Sequence, residues 1–336
     1  MSTSLLFLTP LAVLIVVLLL GFVGCNLVFS LDEAPAGEYI NTIIAEPTLV
    51  AFWPLSEANT TPVPSTGTAF DAGGTHTHPG NYNKATITAD AKRFSAAAAG
   101  DITLGIKPGL LEVTKPVDET QKPCIEVNGG FVEVPFDSLI NPVPFTIEAW
   151  IVPDFDATPD KNYYCLFESS FPEGGVQKKV GFGLYAGPEN PASAQVQPIR
   201  WQVWMGNGQS FQMVGMSTDV VHFRQLTYLA LTFDPGVPNN NLILFLYYPG
   251  TGQDLSMASV ATLQATVTNF KANNQAPGGS LLIGMGRNLF PGVMVDPVPL
   301  QPFLYAFPGK IQEVALYSSA LDITKLANHE TAGGNV

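Results

Sequence analysis

The run Phe145-Thr146-Ile147-Glu148-Ala149-Trp150 alternates strictly between apolar and other side chains. In an extended strand successive side chains point to opposite faces, so Phe145, Ile147 and Ala149 share one face. Thr146, Glu148 and Trp150 take the other. Val132 to Pro135 and Gly309 to Tyr317 repeat the pattern. Further strands are predicted at 124–127, 131–134, 145–152, 163–168, 180–185, 199–205, 210–215, 227–233, 242–248, 280–284 and 309–317. Asn128-Gly129-Gly130, Gly206-Asn207-Gly208 and Pro235-Gly236 supply tight reversals between them. The hairpin at Gly206-Asn207-Gly208 is the best defined. Besides an N-terminal hydrophobic helix, a short helix is predicted after the last strand, Leu321 to Glu330, with Asp322 as its N-cap and Gly333-Gly334 stopping it. Such a chain folds as an all-β, two-sheet antiparallel sandwich.

Composition agrees and narrows the function. The 336 residues include 31 Gly and 28 Pro, the punctuation of many short strands. Charged residues make up 13%, well below the roughly 25% of an average soluble domain. The net charge of −13 argues against nucleic acid, which demands a basic footprint.

Leu5 to Phe29 is almost wholly apolar, and no charged side chain precedes Asp32. About 20 such residues cross a bilayer as a helix. Phe22-Val23-Gly24-Cys25 partly resembles a bacterial lipobox, which would make Cys25 a lipidation site; the usual basic residues before the apolar run are missing. An uncleaved anchor, a lipidated Cys25 and secretion all place the following domain outside the cytosol. The chain divides into an anchor or signal segment (1–31), a tether (32–46) and a domain (47–333) in which 84–122 reads as an insertion. In such a compartment Cys124 and Cys165 either pair as a disulfide or remain two buried thiols.

Several segments, in order, resemble the laminin-G-like, concanavalin-A-like lectin and glucanase jelly rolls of bacterial surface proteins. They are Phe52-Trp53-Pro54-Leu55, Asp71-Ala72-Gly73-Gly74-Thr75-His76, Val127 to Pro135, Phe145 to Trp150, Tyr228 to Asp234, Leu282-Ile283-Gly284, and the closing strand with Leu321 to His329. The resemblance spans about 47–333 and implies two antiparallel sheets packed face to face, about 10 Å apart. It also implies calcium at Asp71, with Gly73 and nearby carbonyls assisting and Glu313 as a more distant ligand. The chain departs from the family at Leu226, at Tyr248-Pro249-Gly250 and at Gln312-Glu313.

Catalysis finds little support in the residues. Sugar hydrolysis needs two carboxylates flanking the bond, and Glu126, Glu133 and Glu148 fall singly on separate strands, where each reads as an exposed polar position. His76 and His78 lack a third metal ligand and read as solvated loop residues; His222 and His329 stand alone. Aromatics remain, because sugar rings stack on exposed aromatic faces. Alternation sends Trp201 and Trp204 to opposite faces, so one of these two candidate ligand-binding residues leaves the core. Trp53 and Trp150 read as core. The reading is a membrane-attached extracellular module that binds carbohydrate or a protein partner without catalysis.

Overall fold

A computed structural model describes residues 37–55, 68–73, 77–84, 112–114, 124–127, 130–154, 163–172, 179–190, 193, 197–273, 279–287 and 305–334. Two large antiparallel sheets form the expected sandwich. The first runs, in spatial order, β16 (Ala261–Ala265), β15 (Leu242–Tyr247), β14 (Thr227–Phe233), β7 (Phe145–Pro153), β18 (Gly309–Tyr317), β5 (Cys124–Val127) and β4 (Glu112–Thr114). Its eighth strand, β1 (Leu49–Trp53), also pairs with β18. The second sheet runs β13 (Phe211–Val220), β12 (Ile199–Gly206), β11 (Phe182–Pro188), β8 (Tyr164–Glu168), β17 (Leu281–Ile283), β6 (Gly130–Val134), β3 (Gly80–Lys84) and β2 (Thr68–Ala69). A small ribbon, β9 (Phe171–Pro172) with β10 (Lys179–Val180), extends beyond it.

The alternation in β7 places its side chains as the sequence predicts. Phe145, Ile147, Ala149 and Ile151 enter the inter-sheet core with Leu229 and Leu231 of β14 and Leu184 and Val203 of the second sheet. Phe145 stacks on Phe182 at 4.6 Å. Trp53 also enters this core, and its Nε1 donates to the carbonyl of His78 at 2.8 Å.

The opposite face of the first sheet is buried as well. Trp150, Tyr228, Phe245 and Tyr317 form a second core under two helices, α1 (Gly37–Ile44) and, after the short α2 (Met257–Val260), α3 (Ile323–Gly334). The tether expected at 32–46 therefore contains a helix, because Tyr39 and Ile43, four residues apart, present one apolar face to Phe52 and Leu326. Asp322 caps α3, its carboxylate accepting from the Lys325 amide at 3.0 Å. Lys325 reaches across to Glu46 at 2.9 Å and ties α3 to the end of α1.

Among the described residues no helix is long and apolar enough to cross a membrane. The apolar segment 5–29, with Cys25, lies outside them, as do His76, most of 84–122 and the side chains of Cys124 and Glu126.

Candidate functional site

The two tryptophans of β12 separate as alternation requires. Trp201 is buried and stacks on Phe307 at 6.3 Å inside the sandwich, so it is a core residue and not a ligand contact. Trp204 leaves the core and sits half-buried on the outer face of the second sheet. Phe211 stacks beside it at 6.1 Å and 26°, and Tyr163 meets its edge at 6.3 Å and 84°. The Lys179 ammonium stands 4.9 Å from the Phe211 ring centroid. The turn holding this group is an Asx turn: Asn207 Oδ1 accepts from the amides of Gln209 and Ser210, both at 2.8 Å.

Strand register places Glu133, Leu282, Glu168, Gly183 and Trp204 in one row across that face. Glu168 is fully buried. Ser170 donates to Glu168 Oε1, while Arg287 reaches the Glu168 and Ser170 carbonyls at 3.4 and 3.1 Å. The other Arg287 nitrogen contacts Ser280 Oγ at 2.7 Å, and Ser280 Oγ donates to Glu133 at 2.8 Å. Burial pushes the Glu168 carboxyl up to about 7, with the charges of Lys179 and Arg287 pulling the other way. Burial likewise lowers Lys179 and raises the Cys165 thiol.

Cys165 is a free, buried thiol rather than half of a disulfide. Its Sγ lies 3.3 Å from the Phe167 carbonyl and 3.9 Å from Glu168 Oε2. The strand turns this side chain to the outer face, beside the carboxylate. Tyr185 completes the patch, and its ring crosses β11 because residue 183 is glycine; a Cβ there would stand 2.4 Å from Tyr185 Cε2.

Asp71 holds its loop against β1. One carboxylate oxygen accepts from the amides of Phe52 (2.8 Å) and Gly73 (2.9 Å), the other from His78 (2.8 Å). Gly73 permits the approach, since a Cβ would stand 2.7 Å from Leu49 Cδ2. Glu313 is buried in a bulge of β18, at φ 55°. Among the described residues no group of three His, Cys, Asp or Glu side chains could hold a metal ion. His78, expected to be solvated, is buried with Nδ1 3.9 Å from Asp137.

Glu148 also departs from its expected exposed position. It is fully buried in the second core, where it accepts from Tyr228 Oη at 2.5 Å and Tyr317 Oη at 2.8 Å. His329 Nδ1, from α3, lies 3.1 Å from both its oxygens. Glu148 and His329, each isolated in sequence, are brought together by the docking of α3. Only the spacing of Thr146, Glu148 and Trp150 hinted that this face of β7 mattered. On β11, the outward series Gly183, Tyr185, Gly187 at period two is the sequence signal for the aromatic patch.

No family model and no curated protein matches the sequence. Among solved structures, domain 4 of AbnA, a GH43 extracellular arabinanase from Geobacillus stearothermophilus in complex with arabinotriose, is 14% identical; the match covers 84% of this chain and 98% of that one, at a TM-score of 0.45. The binding domain of botulinum neurotoxin serotype C1 is 9% identical over 85% of this chain and 52% of that one, also at 0.45. Trypanosoma rangeli sialidase in complex with the inhibitor DANA is 14% identical over 83% and 32%, at 0.40.

Proposed function

We propose that this protein is a non-catalytic surface module that binds carbohydrate through the outer face of its second sheet. The observation that carries the reading is Trp204, half-buried outside the core and braced by Phe211 and Tyr163. A braced ring offers a flat apolar surface at small entropic cost, which suits stacking against a sugar. The apolar run 5–29 supports attachment to a membrane, with the sandwich outside the cell. Mass spectrometry of the mature N-terminus separates an intact Met1 from a lipidated Cys25.

The full-length chain on a glycan array, with and without calcium, tests the reading. At least one saccharide is expected to bind, and Trp204→Ala should weaken it by about tenfold or more, the loss of about 1.4 kcal/mol. Silence on the array in both conditions sinks carbohydrate recognition and leaves a structural or adhesive module.

One observation favours a second, hydrolytic reading. Glu133 and Glu168 project from the same face on either side of Leu282, with Cα atoms roughly 9.5 Å apart at ordinary strand spacing. Against it, Glu168 is fully buried, its carboxylate already accepts from Ser170, and that of Glu133 accepts from Ser280. Release of reducing sugar that disappears in both Glu168→Gln and Glu133→Gln would restore the enzyme.

A further inference from the structure

Beneath the hairpin that carries Trp204 lies a cavity of about 120 Å³, between β13 and the segment 266–270 that follows β16. Its floor is apolar, formed by Met205, Val214 and Phe270. Its rim is uncharged: Gln212, Thr268 and Asn269 line it, and their side chains have no hydrogen-bond partner among the described residues. Asn207 adds an amide whose oxygen alone is engaged, by the turn.

Both walls are held rigidly. Asn241 clamps Val267 in both directions, its Oδ1 accepting from the Val267 amide at 2.7 Å and its Nδ2 donating to the Val267 carbonyl at 2.8 Å. Thr266 Oγ1 accepts from the Asn240 amide at 3.0 Å. Phe270 is wedged against Phe233, ring to ring at 5.1 Å, and the Lys271 amide donates to the Gly206 carbonyl at 2.9 Å. The free amides and hydroxyl therefore stand on a frame that needs little ordering when a ligand arrives.

An apolar floor below several uncommitted neutral donors and acceptors complements a ring with one C–H face and several hydroxyls. An ionised ligand would find no countercharge here and would lose hydration without replacement. The volume is well under the about 300–1,000 Å³ of sites for drug-sized molecules, and so admits one ring rather than a chain. We propose that this cavity is a subsite for a single neutral, hydroxyl-rich ring, the terminal residue of an uncharged glycan. The proposal rests on the carbohydrate reading above and adds the chemical class and a second contact point on the other face of the hairpin, since Met205 and Gln212 pair on its core side and Trp204 and Met213 on its outer side.

The test titrates the full-length chain with methyl glycosides of glucose, galactose, mannose and arabinose, and with glucuronate, by saturation-transfer NMR and calorimetry. Wild type is compared with the double variant Gln212→Ala/Asn269→Ala, with Thr268→Val and with Trp204→Ala. The rim side chains are exposed, so unchanged melting temperatures should confirm that these variants fold. At least one neutral glycoside is expected to bind and glucuronate to bind no better. Two lost hydrogen bonds of about 1 kcal/mol each should weaken binding about 30-fold in the double variant. Binding lost in Trp204→Ala but unchanged in the rim variants overturns the subsite and keeps the Trp204 reading. The reverse pattern keeps the subsite and removes Trp204. Tighter binding of glucuronate than of every neutral glycoside overturns the subsite chemistry, and no binding of any sugar overturns both.

Discussion

Replacing Glu168 by Gln should remove a definite component from the pH dependence of folding stability. The carboxyl rises from 4.5 to about 7 on folding, mainly through burial, so the folded protein holds its proton where the unfolded chain has released it. Stability from this group is complete below about pH 4.5 and is lost progressively as the pH rises to about 7. At about 1.4 kcal/mol for each pH unit, the loss is about 3 kcal/mol, a large share of the 5–15 kcal/mol typical of a folded domain. No discount for solvent applies, because the group is fully buried. The groups facing it are Cys165, Lys179 from the β9–β10 ribbon, and Arg287 after β17; Ser170 donates to it and Tyr185 lies over the adjoining glycine. Glutamine keeps the shape and the neutral polarity of the protonated acid. Chemical denaturation of wild type and variant at half-unit steps from pH 4 to pH 8 reads the effect as a difference, in which other titrating groups cancel, including Glu330, itself pushed up to about 7. The variant should gain about 3 kcal/mol relative to wild type across that range. Parallel curves would refute the reasoning and show that Glu168 ionises without penalty in the fold.

Glu148→Leu should destabilise the domain by about 3–5 kcal/mol in urea unfolding, since two tyrosine hydroxyls and His329 lose a shared buried acceptor; a loss below about 1 kcal/mol would contradict that account. Asp71→Ala should lower the melting temperature equally in calcium and in chelator, because three backbone amides lose their acceptor. A loss confined to calcium would instead make Asp71 a metal ligand. Gly183→Val should cost about 1–3 kcal/mol through its collision with the Tyr185 ring, and near-ultraviolet circular dichroism should report the displaced aromatic.

The strands were legible because their signal is local. The predicted bounds 227–233 and 309–317 coincide with β14 and β18, and the Gly206-Asn207-Gly208 reversal joins β12 to β13 as expected. What stayed hidden depends on contacts between distant residues. Glu148 looks exposed on its own strand because alternation assigns a face, not what covers that face. The cover, α1 and α3, lies more than a hundred residues away in either direction. The choice between a disulfide and buried thiols stayed open for a similar reason, since a cysteine's strand can be predicted but not the strand across from it. Trp201 and Trp204 show how far a local rule reaches: it separated the two rings correctly, and only packing revealed that Phe307 claims the first.

The pairing of β1 with β18 has a mechanical consequence. Leu49, at the start of β1, lies opposite Tyr317, at the end of β18, and α1 and α3 leave the sheet from that same corner. Tension between residues 37 and 334 would therefore open this antiparallel pair from one end, rung by rung, rather than shearing all its hydrogen bonds together. The Lys325–Glu46 bridge and the Glu148 cluster are the first links such a pull would meet. A fold built this way resists load poorly from end to end.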